Sequence, residues 1–188
     1  AMQEGSVSGL TWSVRNAVGT RPLFANFGAV NLPQLNAIQD LGSILDSIEA
    51  DALILHLNPM QEVFQPSGDT DWTNIIDHIA QVCAWSPVPV VVKEVGFGLD
   101  VASAKELASI GVHVLDVAGM GGTRFADIEI ALNAEIRQTL STDSVFDHWG
   151  YTTIESLSMI KKELPAMTCW ASGGIRNGLD IAKSMCMG

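Results

Sequence analysis

Short apolar runs alternate with longer stretches of helical periodicity along the whole chain. Five runs read as strands, over 23–26, 52–56, 88–93, 113–117 and 167–172. Between them, apolar residues recur at helical spacing over 32–48, 74–85, 101–110 and 152–163, and a further helix begins near Asn177. Such alternation predicts a parallel sheet covered by helices. The runs are apolar throughout rather than every second residue, which predicts strands buried on both faces.

Two α/β architectures fit this order, an open doubly wound sheet and a (β/α)8 TIM barrel. An open sheet gathers its chemistry at one switch point, whereas a barrel draws on most of its strand ends. Here nearly every run ends in polar residues or glycine: Asn26-Phe27-Gly28, His56-Leu57-Asn58, Lys93-Glu94, Asp116 to Gly122, and Ser172-Gly173-Gly174. The barrel is therefore expected, as a single domain over 1–188. A full barrel of this kind takes roughly 250 residues, so an incomplete one of about five to six βα units is predicted for 188 residues. The segment 124–141 is longer and more polar than the other connections, and predicts a lid or an extra helix on the rim.

Composition narrows the function classes. Hydrophobic residues make up 47% of the chain, which argues for a packed core rather than disorder. No run is long enough to cross a bilayer, and Ala1-Met2-Gln3-Glu4 is no signal peptide. Net charge is −11 with only 10 Lys and Arg, so no nucleic-acid partner is expected. A small anion remains compatible, because a few amides and one cation suffice to bind it. Cys83, Cys169 and Cys186 form no CxxC pair, which points to a reducing, cytoplasmic setting and to buried hydrophobes rather than catalytic thiols.

Candidate chemistry concentrates at the strand exits. In Leu55-His56-Leu57-Asn58-Pro59-Met60-Gln61-Glu62, four polar side chains follow a buried strand and Pro59 stiffens the turn. Glu62 suits a divalent cation such as a hydrated Mg²⁺, which takes oxygen ligands and few protein contacts; a general base or a surface acid are the other readings. His56, beside Asn58, is expected to face ligand. Ser172-Gly173-Gly174-Ile175-Arg176-Asn177-Gly178 opens a helix, and its glycines and helix N-terminus suit a phosphate, with a tight turn as the alternative. Asp116-Val117-Ala118-Gly119-Met120-Gly121-Gly122-Thr123 carries three glycines in four positions, more than packing would demand, and Thr123 adds a hydroxyl for a phosphate or flavin edge, with a flexible hinge to 124–141 as a second, compatible reading. Lys93 in the barrel mouth needs an anion or a polar cofactor atom as partner; a Schiff base ranks lower. Glu94 faces the other way by strand alternation, and reads as a solvated or structural ion pair. His78, His113 and His148 lack metal-ligand spacing and are read as structural.

Taken together these motifs resemble type 2 isopentenyl diphosphate isomerase, an FMN-dependent (β/α)8 enzyme. The resemblance rests on Gly5-Ser6, Ala25-Asn26-Phe27-Gly28-Ala29, His56 to Glu62, Gln65-Pro66-Ser67-Gly68-Asp69, Val91 to Gly98, Gly121-Gly122-Thr123 and Ser172 to Arg176. It implies flavin contacts at Ser6, Asn26, Lys93 and Thr123, and flavin-phosphate contacts at Gly173, Gly174, Ile175 and Arg176. It implies Mg²⁺ on Glu62, and substrate contacts by Gln61, His56 and Asn58. The implied reaction converts isopentenyl diphosphate to dimethylallyl diphosphate, with reduced FMN as acid and base and Mg²⁺ holding the diphosphate. NADPH or NADH as reductant and a homo-oligomer are implied likewise. Val7-Ser8 stands where members often have Gln-Arg, and Ala118 where some have a serine. By this resemblance the chain runs from the end of the second barrel strand to the seventh helix. Two other readings compete: another FMN barrel oxidoreductase, of hydroxy-acid oxidase or dihydroorotate dehydrogenase type, and a catalytically inactive piece. The former needs a base, commonly histidine, on a late strand, and no histidine follows His148.

Overall fold

A computed structural model describes residues 14–35, 39–139, 146 and 148–188. Its elements run α1 (Arg15–Val18), β1 (Phe24–Gly28), a 3-10 turn (Ala29–Gln34), α2 (Gln39–Ile48), β2 (Ala52–His56), α3 (Pro59–Phe64) and α4 (Ile75–Trp85). They continue with β3 (Val90–Lys93), α5 (Val101–Ser109), β4 (Val114–Asp116), α6 (Phe125–Leu132), α7 (Ala134–Thr139), α8 (Thr153–Glu163), β5 (Thr168–Trp170) and α9 (Gly178–Met187).

All five strands pair in parallel, in the order β1-β2-β3-β4-β5. A doubly wound sheet reverses its order at a switch point, and this sheet does not. Right-handed crossovers that always step the same way lay every helix on one face and curl the sheet, which makes an arc of a barrel. Phe24 on β1 and Trp170 on β5 belong to the two edge strands, yet their rings stack at 5.5 Å and 25°. Only a strongly curled sheet brings such residues together.

The core lies on the convex side. Leu55, Val92 and Leu115 are register partners and fully buried, packed with Ile79 and Val82 of α4 and Leu107 of α5. Each such side chain contributes roughly 1.5–3 kcal/mol of transfer free energy. Local signals start the helices: Asp100 accepts from Ser103 N at 3.0 Å to cap α5, and Thr152 with Glu155 forms a capping box for α8.

The helix expected over 32–48 is divided. Pro33 lies in the 3-10 turn, α2 begins at Gln39, and 36–38 lie outside the described residues. Burial on both faces holds best for β3 in mid-sheet, while the edge strands β1 and β5 are partly exposed. Within 124–141 the extra structure is helical, as α6 and α7.

Candidate active site

Because parallel strands alternate in step, the neighbours of the buried row project to the concave side. Those neighbours are Gly28, His56, Lys93, Asp116 and Trp170, the last residue of each strand. Three of them are polar, so the sheet delivers its chemistry along one line at the C-terminal rim.

His56 Nδ1 lies 2.8 Å from Asn26 Oδ1. An amide oxygen only accepts, so Nδ1 carries the proton and Nε2 keeps a lone pair. Burial, then the nearby Lys93 charge, lowers the imidazole pKa, with Glu62 opposing, which keeps the ring neutral. Gly28 faces this ring: a Cβ there would sit 3.2 Å from Nε2.

Past β2 the chain enters α3, with Pro59 at its first position. Asn58, Gln61 and Glu62 are spaced to share one face of that turn. Asn58 is 4% exposed and donates from Nδ2 to Glu62 Oε1 at 2.7 Å, with Gln61 Oε1 at 3.4 Å. Glu62 Oε2 accepts from Asp69 N at 2.8 Å. Asn58 Oδ1 is buried with no partner among the described residues, and no ion pair there involves Glu62. One carboxylate beside an unmatched amide oxygen is an all-oxygen donor set, which fits Mg²⁺. Among the described residues no group of three or more His, Cys, Asp or Glu could hold a metal ion.

A further member comes from α6. Glu129 Oε1 accepts from Gln61 Nε2 and from Gln65 Nε2, each at 3.0 Å. The polar rim segment thus packs a carboxylate against α3, and no local spacing signals it.

Lys93 Nζ donates to its neighbour's carbonyl, Glu94 O, at 2.6 Å, rather than to an anion. The Glu94 side chain corrects the expectation of a solvated acid or ion pair. It is 6% exposed and accepts from Val95 N at 2.7 Å and Phe97 N at 2.6 Å. Burial pushes its carboxyl up to about 7, against the pull of those amides and of Lys93.

In the exit from Asp116 to Thr123 the glycines meet a packing need, contrary to expectation. A Cβ on Gly119 would collide with Thr153 N, and one on Gly122 would come within 2.6 Å of Gly174 N. Packing therefore does account for these glycines: two loops touch backbone to backbone. Arg176 ties the same loops, donating to the carbonyls of Gly121 and Gly174. The N-terminus of α9 is not free for phosphate either. Asn177 Oδ1 accepts from Leu179 N and Asp180 N, and Asp180 accepts from Arg176 N. The turn before it differs: the amides of Gly173, Gly174 and Ile175 have no hydrogen-bond partner among the described residues. Gly173 and Gly174 both take positive φ, in a turn whose unpaired amides suit an anion. A cavity of about 170 Å³ adjoins it, with Arg176 and Lys183 as its cations. This cradle fits the phosphate of a nucleotide cofactor such as FMN. Thr123 is exposed with no hydrogen-bond partner among the described residues, and Ser6 lies outside them. His113 is structural, accepting from Val90 N through Nδ1 at 3.3 Å.

Known proteins match this arrangement. The profile of FMN-dependent dehydrogenases matches residues 55–188. The chain belongs to the FMN-dependent dehydrogenase family. That span holds every candidate residue except Ser6 and Asn26. Isopentenyl-diphosphate delta-isomerase of Rickettsia typhi is 42% identical over 178 residues, covering 95% of this chain and 52% of that protein. The like-named protein of Stutzerimonas stutzeri is 40% identical over 188 residues, covering 100% and 54%. That of Cronobacter sakazakii is 44% identical over 180 residues, covering 96% and 52%. The chain thus spans about half the length of the curated relatives it matches. Among solved structures, inosine 5'-monophosphate dehydrogenase of Legionella pneumophila superposes with a TM-score of 0.58 at 14% identity, covering 98% of this chain and 46% of that one. A mandelate oxidase mutant with a monooxide FMN adduct gives 0.59 at 20% identity, covering 94% and 49%. At these identities the two share the fold with this family member.

Proposed function

We propose that this chain is the central part, from the end of the second barrel strand to the seventh helix, of an isopentenyl-diphosphate delta-isomerase. The observation that carries the reading is the cluster of His56, Asn58, Gln61, Glu62 and Glu129 beside Lys93, in a chain about 40% identical throughout to relatives of that name.

FMN is the cofactor in this reading. The unpaired amides of Gly173, Gly174 and Ile175, with Arg176, hold its phosphate, and Asn26, Lys93 and Thr123 line its path; Ser6 is a flavin contact by resemblance alone. Reduced FMN, once bound, supplies the proton exchange that an unactivated alkene requires, with NADPH as reductant. The side chains here offer no strong acid–base pair: His56 is held neutral with Nδ1 engaged, and Gln61 and Asn58 are amides. They orient instead. Gln61 is anchored through Nε2 on Glu129, and Asn58 holds Glu62 through Oε1. Glu62 carries Mg²⁺, which with Lys93 balances the charge of a small-molecule diphosphate substrate. Among the described residues no helix is long and apolar enough to cross a membrane, and Cys83, Cys169 and Cys186 are free thiols. A cytoplasmic location and a homo-oligomeric assembly belong to the reading only as what the resemblance implies.

The test is isomerisation of isopentenyl diphosphate by protein loaded with FMN, in its reduced and oxidised forms, with Mg²⁺. Turnover only after reduction, abolished by Gln61→Ala and by Glu62→Ala, is expected. Equal turnover with oxidised flavin, or activity surviving both substitutions, overturns the reading.

A further inference from the structure

Glu94, like Asp116, is a buried carboxylate at the rim that the proposed chemistry leaves without a task. Removing a carboxylate from water costs several kcal/mol unless hydrogen bonds compensate. Glu94 receives two, from the amides of Val95 and Phe97, both on Oε2. Its backbone is engaged as well: its N–H donates to Asp116 O at 3.2 Å, and its carbonyl receives Lys93 Nζ. The side chain thus closes a tight loop around the peptide that holds the lysine.

That loop is also where three rim segments meet. Tyr151 N donates to Phe97 O at 2.8 Å, and Gly98 N donates to Ala118 O at 3.3 Å. The guanidinium of Arg124 lies 4.9 Å from the centre of the Phe97 ring. A Cβ on Gly96 would come within 2.9 Å of Arg124 Cα, so the loop has no room to drift sideways.

We propose that Glu94 is a positioning residue for Lys93: by gathering the amides of Val95 and Phe97 it sets the Glu94 carbonyl that holds the Lys93 ammonium on the concave face. The consequence for cofactor binding rests on the reading that Lys93 meets flavin. The geometry of the lysine itself does not.

The experiment has two arms. The first needs no cofactor: NMR of protein with ¹³C-labelled lysine, with amide hydrogen exchange, for Glu94→Ala and Glu94→Gln. Glu94→Ala is expected to shift the Lys93 Cε resonance and to speed exchange at Val95 and Phe97 by about tenfold or more, one hydrogen bond's worth. Glu94→Gln keeps a carbonyl acceptor and is expected to preserve both signals. An unchanged Lys93 resonance in folded Glu94→Ala overturns the proposal. If that variant does not fold, Glu94→Asp, which draws the carboxylate back by one carbon, is read the same way.

The second arm measures FMN affinity for Glu94→Ala, Lys93→Ala and the double variant. Losses that fail to add are expected, because Glu94 acts through Lys93. Additive losses overturn the proposal. Unchanged FMN affinity in all three, together with a shifted Lys93 resonance, refutes the flavin role of Lys93 and leaves the positioning role supported.

Discussion

Gln61 and Glu129 stand 68 positions apart and meet at 3.0 Å, amide nitrogen to carboxylate. The bond decides which way the Gln61 amide points. With Nε2 committed to Glu129, its carbonyl oxygen is left on the side of Asn58 Nδ2. An amide alone in a pocket can turn over; one tethered to a charged acceptor cannot do so without breaking a bond worth about 1.5–3 kcal/mol.

Glu129→Ala is therefore expected to lower kcat/KM for isopentenyl diphosphate by about ten- to hundredfold, with flavin content unchanged. Glu129→Gln should fall between, since a neutral acceptor keeps the geometry but not the charge. Steady-state kinetics on the three proteins check this, and an unaltered kcat/KM in Glu129→Ala would show that Gln61 needs no tether.

Glu62 offers a prediction about metal. Its two oxygens are each held by one protein donor, Asn58 Nδ2 and Asp69 N, which leaves further lone pairs for a cation. Glu62→Gln keeps the size and removes the charge. Activity should then need at least about tenfold more Mg²⁺, with little change in thermal stability. Titration of Mg²⁺ after chelation measures both, and an unshifted Mg²⁺ requirement would remove Glu62 from the metal's ligands.

Much of this arrangement was legible in the chain, for definable reasons. Parallel strands in a buried sheet read as apolar runs, so β2 coincides with 52–56 and β3 with the end of 88–93. The group of Asn58, Gln61 and Glu62 was legible because a single helical turn makes it, from neighbours three and four apart. Pro59 at a first helical position was the available signal for α3 itself. Contacts made by tertiary packing left no such trace. Glu129 reaches Gln61 only because α6 folds back on α3. Glu94 obeys strand alternation, yet it turns into a loop rather than into water. Gly119 and Gly122 look like more glycine than packing demands because the loop they must approach, at Thr153 and Gly174, lies dozens of residues on.

Glu94 also predicts a pH dependence of stability. Its carboxyl stands at about 7 in the folded protein against 4.5 ordinarily, because burial outweighs the amides of Phe97, Val95 and Gly96 and the charge of Lys93. Between those values the unfolded chain binds fewer protons at this site than the folded one, so unfolding free energy falls as pH rises from about 4.5 to 7 and levels off above. The loss attributable to this group is about 3 kcal/mol. Asp100 shares a cavity with Glu94; burial raises its carboxyl, but hydrogen bonds from Ser103 and Ala102 outweigh that and hold it below its ordinary value, so it does not share this window. Denaturant unfolding at pH 5 and pH 8 should show the slope in the parent chain and its absence in Glu94→Gln. Parallel curves for the two proteins would mean that Glu94 does not titrate there.

Two glycines five positions apart in the same exit, Gly173 and Gly178, separate backbone need from mere openness. Gly173 has φ +95°, and a Cβ there would collide with Gly119 O and lie 2.8 Å from Thr153 Oγ1. Neither neighbour can yield easily, since Thr153 Oγ1 already donates to Ser172 O at 2.7 Å and its helix is fixed by the capping box. Gly173→Ala combines left-handed strain with a backbone clash, and should cost at least about 3 kcal/mol, read as a clear fall in Tm. Gly178 opens α9 with nothing within 4 Å of a Cβ. Gly178→Ala should instead be neutral or stabilise by up to about 1 kcal/mol, through helix propensity and a less flexible unfolded chain. Thermal melts of both variants give opposite signs if the loops meet backbone to backbone; a tolerated Gly173→Ala would mean that they do not.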